Sequence, residues 1–556
     1  MEIRGQIEQK IRQTLVGLGI DSGTISLEHP AELAHGDYAT GIALKFAKQA
    51  GKNPRELAEA IVAHLGGIDG VAKIEVAGPG FINFTLAPES IIATLERARH
   101  DEQWGTNESL TGKTIMVEFT DPNPFKQFHI GHLMSNAIGE SITRLLEASG
   151  AKVLRANYQG DVGPHVAKAL YILLERNVTE PTIQDISSAY VEGAHRYESD
   201  GQSKVAIDAL NKQIYERSDE HINELYAKGR AVSLAHFEDL YHILGTKFDF
   251  YFFESDTGPI GRAIVEAHIE DGIFEKSEGA VIFLGEKYGL HTRVFITSAG
   301  NPTYETKDIG NAREKADTVS FDRSIVVTAS EQSEYFKVMH KAMELLMPDV
   351  AEKTSHVTHG MMRFTEGKMS SRKGNVVTGE SLLTELAEVA KTRAAESRAK
   401  DHDVLAQQIA VAAIKYQVLK QTTGKDIVFD RDRALSLEGD SGPYLQYTYA
   451  RTHAILDRAH VANVKPVLNT STPQSDLMRL ITRFPEVVLR AANEYEPHYV
   501  AIYLIEIASA FNSWYGQVQI LDQSKDEPHK VAIVEAVSHT LKNGLRLLGI
   551  PTPDRM

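Results

Sequence analysis

Two loops carry residues whose types and spacing could handle a nucleotide. The first is Asp121-Pro-Asn-Pro-Phe-Lys-Gln-Phe-His129-Ile130-Gly131-His132. Two imidazoles flanking a glycine can donate to phosphate oxygens, and Gly131 lets a flat base approach the backbone. At a helix N-terminus the same loop would favour an anion. The plain alternative is a pair of histidines capping a helix. The second loop, Gly367-Lys368-Met369-Ser370-Ser371-Arg372-Lys373-Gly374-Asn375, holds three cations and two hydroxyls between glycines. It suits a polyphosphate whose charge grows as a bond breaks. Taken alone, it reads more readily as a solvated basic turn.

The elements around the first loop must position it. Ile115–Phe119 is an apolar strand, a helix follows from about Leu133 to Ala148, Gly150 stops it, and Val153–Tyr158 is a second strand. This βαβ unit is the building block of a parallel nucleotide-binding sheet, which binds ligands outside its strand ends. Residues 170–245 are highly charged and helical, as in Asn211–Arg230, and read as an insertion. Strands return at Val294–Thr297, Ile325–Thr328 and His356–His359. From about residue 381 apolar residues recur every three or four positions, a helical pattern.

Upstream, Asn53-Pro54-Arg55-Glu56 predicts a helix start with a capping box, and Leu57, Ile61 and Leu65 form its apolar stripe. Lys73–Ala77 reads as a strand, and Gly78-Pro-Gly as a tight turn into a second strand ending at Leu86. The expected fold is multidomain α/β. It has a small α+β N-terminal domain (1–110), a Rossmann-type parallel-sheet catalytic domain (111–380) with a helical insertion around 170–250, and an all-α C-terminal domain (381–556).

Composition sets outer bounds. The 556 residues include 59 Lys+Arg, 75 Asp+Glu and no Cys. Disulfides, thiolate zinc sites, iron–sulfur clusters and a cysteine nucleophile are therefore excluded. A net charge of −16 disfavours a nonspecific nucleic-acid coat but leaves room for a local basic face. The N-terminal MEIRGQIEQKIRQTL is charged throughout, and no apolar run reaches ~18 residues. No membrane partner is expected, and the cytoplasm is the expected location.

Taken together, His-Ile-Gly-His at 129–132 and Lys-Met-Ser-Ser-Arg at 368–372, about 240 residues apart, resemble the signatures of class I aminoacyl-tRNA synthetases. The resemblance sharpens to arginyl-tRNA synthetases and runs along nearly the whole chain. Gly36-Asp-Tyr-Ala and Gly78-Pro-Gly-Phe-Ile-Asn look like that family's tRNA-elbow-binding domain. Pro122-Asn123 with Lys126 looks like its substrate-holding stretch. Glu254-Ser255, Tyr304-Glu-Thr-Lys-Asp308-Ile and Glu331-Gln332 look like its arginine site. Gly442-Pro-Tyr-Leu-Gln-Tyr447 and the terminal Leu547-Leu-Gly-Ile-Pro-Thr-Pro-Asp-Arg-Met556 look like its helical anticodon-binding domain. Two departures stand out. Asp121 occupies a position where many members have a small residue, and Ser371 replaces the usual second lysine of the KMSKS loop, a task for Arg372 or Lys373.

The resemblance implies a ligase that activates arginine with ATP and magnesium, releases pyrophosphate, and transfers arginine to the 3′ end of tRNA(Arg). Such enzymes are typically cytosolic monomers without a dedicated protein metal site, and often need tRNA to activate arginine. It implies that His129, His132 and Lys368 act on phosphates, and that Lys126 contacts ATP or substrate phosphates. Gly131 would lie under the adenine and Met361-Met362 would read it through their backbone, with Ser370 and Ser371 beside the nucleotide. Asn123 would hold the α-amino or carboxylate end of arginine. Asp308 and Glu254 would accept the guanidinium, and Tyr304 and Gln332 would add polar contacts or shape. For tRNA the candidates are Phe81, Asn83, Tyr444 and Arg451, since single-stranded bases are read by stacking and edge hydrogen bonds.

The residue chemistry supports arginine independently. Tyr304 and Asp308 share a face if their stretch is helical. A guanidinium offers a planar fork that one carboxylate accepts in parallel, a geometry lysine lacks. Two competing readings are a non-catalytic RNA-binding relative and a class I synthetase for lysine or cysteine. The first is disfavoured by the intact loops and pocket residues, and the cysteine form by the absence of thiolate zinc ligands.

Overall fold

The computed structural model describes residues 3–21, 23–365, 377–397 and 399–556. By compactness the chain falls into two units. One comprises residues 1–104, 451–485 and 506–543, and the other residues 105–450, 486–505 and 544–556.

The first unit opens with α1 (Ile3–Gly17), β1 (Tyr38–Thr40), α2 (Ile42–Ala50), α3 (Pro54–Leu65), β2 (Val71–Ala77), β3 (Phe81–Leu86) and α4 (Pro88–His100). Its three strands form an antiparallel sheet in the order β1-β3-β2. Asn53 caps α3 by accepting the Arg55 N–H at 3.0 Å. The expected capping box with Glu56 does not form. Asn53 spends its oxygen one residue early, and Glu56 stays in solvent. Contacts of long sequence separation close this unit: the Arg99 Nε donates to Glu535 at 2.7 Å, the Trp104 indole to Thr540 at 3.1 Å, and Arg479 to Asp37 at 3.1 Å.

The second unit is built on a five-stranded, all-parallel sheet in the order β11-β10-β4-β5-β6. Its elements follow the chain: β4 (Thr114–Glu118), α5 (Ile130–Ala148), β5 (Lys152–Gln159), α6 (Pro164–Glu175), α7 (Ile183–Ser199), α8 (Gly201–Glu216), α9 (Glu220–Leu244), β6 (Phe250–Phe253), α10 (Glu254–Ala267), β7 (Glu275–Ser277), β8 (Ala280–Phe283), β9 (Arg293–Ile296), α11 (Tyr304–Thr318), β10 (Arg323–Ala329), α12 (Ser333–Leu346), α13 (Pro348–Lys353) and β11 (Thr354–His359). From β4 the chain steps outward to β5 and β6, then returns on the other side through β10. The strand order therefore reverses between β4 and β10. The carboxyl ends of those two strands border the crevice where such sheets bind ligands.

Two expectations change here. The strand near Val294 belongs to an antiparallel sheet, β7-β8-β9, and not to the parallel one. Its first turn, Glu278-Gly279, has φ of +48° and +83°. Positive φ at both central residues is the tight hairpin geometry that reverses a strand at once. The helical run expected from 381 is also interrupted. β12 (Met362–Phe364) is followed by α14 (Gly379–Ala395) and α15 (His402–Leu419), and then β13 (Ile427–Phe429) pairs with β12 in parallel. The rest is helical: α16 (Arg431–Ala434), α17 (Gly442–Val461), α18 (Asp476–Thr482), α19 (Phe484–Glu494), α20 (His498–Gln517) and α21 (Glu527–Leu547). Among the described residues no helix is long and apolar enough to cross a membrane.

Candidate active site

The loop that leaves β4 is under backbone strain. Thr120, Asp121 and Phe125 have φ of 80°, 49° and 65°. Left-handed backbone at a non-glycine residue costs roughly 1–3 kcal/mol, so surrounding structure must impose it. Here it does. The Thr120 N–H donates to Ser135 Oγ at 2.9 Å, Tyr158 N–H to the Asp121 carboxylate at 2.8 Å, and Phe125 N–H to Ser233 Oγ at 3.1 Å. The Phe125 ring is buried in the core of the inserted helices and stacks on Tyr226. A Cβ on Gly229 would stand 2.4 Å from that ring. The charged insertion therefore braces the loop that follows β4.

His129 and His132 cap α5 reciprocally. Nδ1 of His129 accepts the His132 N–H at 3.4 Å, and Nδ1 of His132 accepts the His129 N–H at 3.2 Å. Their rings stack with centroids 3.4 Å apart. Capping and ligand binding thus turn out to be compatible. A neutral ring whose Nδ1 accepts carries its proton on Nε2, so both rings keep a donor to offer. Burial, with Lys126 and His359 adding to it, lowers His129 to about 4. His132 is lowered well below the usual histidine range by burial and by His129. Both are neutral donors at neutral pH.

These histidines and Gly131 line a cleft of about 460 Å³ at the strand-order reversal, together with Asn123, Glu254, Tyr304, Asp308 and Gln332. Every residue expected to bind the amino acid thus shares one cavity with His129, Gly131 and His132. Tyr304 opens α11 and is 68% exposed; Asp308 follows one turn later on the same face. Glu254 opens α10 and is buried. Most of the cleft's carboxylates already have partners. Glu118 pairs with Lys315 and accepts from Asn311 at 2.8 Å; Glu305 pairs with Arg293 at 3.3 Å. Glu254 pairs with Lys307 at 2.5 Å, so the second expected guanidinium acceptor carries a resident cation. Among the described residues the Asp308 carboxylate has no hydrogen-bond or ion-pair partner. Burial pushes its carboxyl well above the usual range, and Glu118 and Glu254 push it further.

Other expected residues lie elsewhere. Lys126 is half-buried beside the cleft, its ammonium 5.7 Å from the Tyr190 ring. Burial, then Lys168, lowers its pKa. Met362 sits in β12 outside the cleft lining, and the backbone of Met361 is already engaged by Asp426 and Ile427. Lys368, Ser370 and Ser371 fall outside the described residues. Phe81 is 40% exposed on β3, whereas its neighbour Asn83 is buried. Tyr444 is half-buried, and Arg451 donates to Asn512 beside the Tyr515 ring.

The sequence reading missed three residues here. Asp161 is fully buried after β5 and accepts from Arg230 at 2.8 Å, Tyr226 at 3.1 Å and both the N–H and hydroxyl of Ser255 at 2.9 and 2.8 Å. It fixes the start of α10, and hence Glu254. His165, lowered to about 3 by burial first and Lys126 second, bonds the Gly160 carbonyl at 2.9 Å. A signal for both existed in Gly160-Asp-Val-Gly163, a glycine-flanked acid at a strand end. Lys307 had no such signal.

Comparison with known proteins follows the same lines. Residues 95–431 match the family model for the catalytic domain of class I tRNA synthetases (R), residues 445–556 the DALR anticodon binding domain, and residues 1–86 the arginyl tRNA synthetase N terminal domain. The chain is 30% identical over 568 residues to the arginine–tRNA ligase of Halothermothrix orenii, covering 100% of both. It is 31% identical to that of Lactobacillus delbrueckii subsp. bulgaricus, covering 99% of each. Among solved structures it resembles Thermus thermophilus arginyl-tRNA synthetase, with a TM-score of 0.84 at 25% identity and 100% coverage of both chains. The paired motifs in the sequence, the cleft around His129 and His132 and these full-length matches lead to one conclusion: the chain belongs to the class I arginyl-tRNA synthetases.

Proposed function

We propose that the cleft between the ends of β4 and β10 is where ATP and arginine react, and that this chain joins arginine to tRNA in two steps. In the first, an arginine carboxylate oxygen attacks the α-phosphorus of ATP. An O–P bond forms, the bond to the bridging oxygen breaks, and pyrophosphate leaves with its electron pair. In the second, a terminal ribose hydroxyl of tRNA(Arg) attacks the aminoacyl carbonyl, loses its proton, and AMP leaves. Neither step needs a covalent enzyme intermediate. Catalysis is positioning plus stabilisation of developing charge.

The neutral rings of His129 and His132 donate Nε2–H to phosphate oxygens, and Gly131 lies under the adenine. Lys368 neutralises the leaving pyrophosphate, with Ser370 and Ser371 beside it, and Lys126 adds positive potential at the cleft. Magnesium arrives with the nucleotide as part of the substrate. Asp308 accepts the guanidinium fork, Tyr304 and Gln332 shape its surroundings, and Asn123 holds the α-amino or carboxylate end. Glu254 supports the site from beneath. On tRNA, residues 1–110 form the arm that meets the elbow through Phe81, and residues 381–556 form the anticodon side with Tyr444 and Arg451. The enzyme works as a monomer in the cytoplasm.

The observation that carries this reading is the 460 Å³ cleft lined by both histidines, Gly131 and all five expected amino-acid-binding residues. Charging of tRNA with each of the twenty amino acids in turn tests it. Arginine alone should be transferred, and transfer of lysine at a comparable rate would overturn the assignment.

A further inference from the structure

The Lys307 ammonium is buried within an acidic wall. Lys307 is 5% exposed and its Nζ donates to Glu254 at 2.5 Å. The Nζ also lies 5.4 Å from the Tyr304 ring and 5.9 Å from the ring of Tyr215, on inserted helix α8. Tyr215 lines a second cavity of about 1120 Å³, and Glu254 lines both that cavity and the 460 Å³ cleft. Glu254 is therefore part of the partition between them, and Lys307 is its bonded partner. Burial alone would discharge this lysine. The carboxylate beside it outweighs burial and holds the ammonium above its usual range. Glu254 is pushed up by burial and pulled back by Lys307. Each keeps the other charged.

A guanidinium carries one positive charge. A pocket that faced it with two unpaired buried carboxylates would be mismatched, because two adjacent carboxylates cannot both stay ionised cheaply. We propose that Lys307 is a positioning residue for arginine: it serves as the resident counter-ion of Glu254, fixes that carboxylate's orientation, and leaves Asp308, whose side chain has no partner among the described residues, for the substrate's guanidinium. This inference rests on the reading of the cleft as the arginine site. Lys307 does not touch the reacting atoms. It acts through Glu254 and ties α8 to the pocket floor.

Three substitutions test this in the full-length enzyme. Lys307→Met keeps the side chain's length but removes its charge. The arginine KM should rise at least tenfold, while kcat at saturating arginine and the ATP KM stay within about threefold. Lys307→Arg should restore the arginine KM, which also guards against a folding failure of the Met variant. Lys307→Ala leaves room for n-propylamine, whose chain and ammonium replace the deleted atoms. Millimolar n-propylamine should lower the arginine KM of Lys307→Ala, and n-propanol should not. An arginine KM within threefold of wild type in Lys307→Met, or equal rescue by propanol, would overturn the inference. Asp308→Asn serves as the parallel arm. If it raises the arginine KM and Lys307→Met does not, the pocket reading stands and the counter-ion role fails. If neither moves the arginine KM, both fail.

Discussion

A Cβ placed on Gly160 would stand 2.4 Å from Oδ1 of Asn123 and 3.2 Å from Oε1 of Glu254. Gly160, just after β5, is thus the spacer that lets Asn123 of the loop after β4 and Glu254 of α10 converge. Gly160→Ala should displace Asn123 by several tenths of an ångström or more, because the facing atom belongs to a loop already held in left-handed backbone. Misplacing a substrate-holding group costs on the order of 10²-fold in rate. The expected outcome is a fall of roughly 10- to 100-fold in kcat/KM for arginine with little change in the ATP KM. Steady-state kinetics varying each substrate checks it.

The capped histidine pair predicts a dissociation of stability from activity. His132→Ala removes a cap interaction worth about 0.5–2 kcal/mol. It also removes one preorganised Nε2–H donor, a loss of about 10²–10³ in activation kcat. Thermal melting and pyrophosphate exchange on the same variant separate the two effects. A variant that melts early but keeps its kcat would reduce the histidine to a cap.

Stability should fall on mild acidification. His129 and His356 are lowered to about 4, and His165 to about 3, in each case chiefly by burial. In the unfolded chain they titrate near ~6.5. The unfolded state therefore binds more protons between those values, and folding stability rises with pH across that window. The contribution of these rings is fully present above pH ~6.5 and is lost as pH falls toward about 4. Melting temperatures between pH 8 and 4 should decline below pH ~6.5, and less so in His165→Asn than in the wild type.

Phe81 offers a test of RNA docking that leaves the fold intact. Its ring is 40% exposed on β3. Removal of all of residues 1–105 would also break the Arg99–Glu535 and Arg479–Asp37 pairs inside the first unit, so a point change is cleaner. Base–aromatic stacking is worth ~1–3 kcal/mol. Phe81→Ala should raise the tRNA KM roughly 5- to 150-fold while arginine and ATP constants hold. An unchanged tRNA KM would remove Phe81 from the interface.

What could be read in the sequence was what depends on local spacing. The strand–loop–helix–strand order around His129, the charged helical insertion and the shared face of Tyr304 and Asp308 all follow from residues within a few turns of one another, and all are present. What could not be read depends on distant partners. Lys307 and Glu254 are 53 residues apart, and neither carries a local mark of their pairing. The left-handed backbone of Thr120, Asp121 and Phe125 is imposed by Ser135, Tyr158 and Ser233, so no residue type in the loop announces it. β12 and β13 are three residues each and lack any alternation to betray them, and their pairing runs across a boundary placed at 380. Hydrophobic period describes an element's faces; it does not reveal which short edges meet.

The central claim is that Asp308 receives the substrate guanidinium, and Asp308→Asn tests it most directly. The change keeps shape, removes a charge-assisted pair and turns an NH₂ toward the guanidinium. Loss of one partner of a desolvated charge pair costs roughly 2–5 kcal/mol. That is about 30- to several-thousand-fold in kcat/KM for arginine, at ~1.4 kcal/mol per decade. Steady-state charging over arginine and ATP concentrations, with melting measured alongside, should show that loss with an ATP KM near wild type. If arginine KM and kcat both stay within about threefold of wild type in a folded variant, Asp308 is not the guanidinium acceptor.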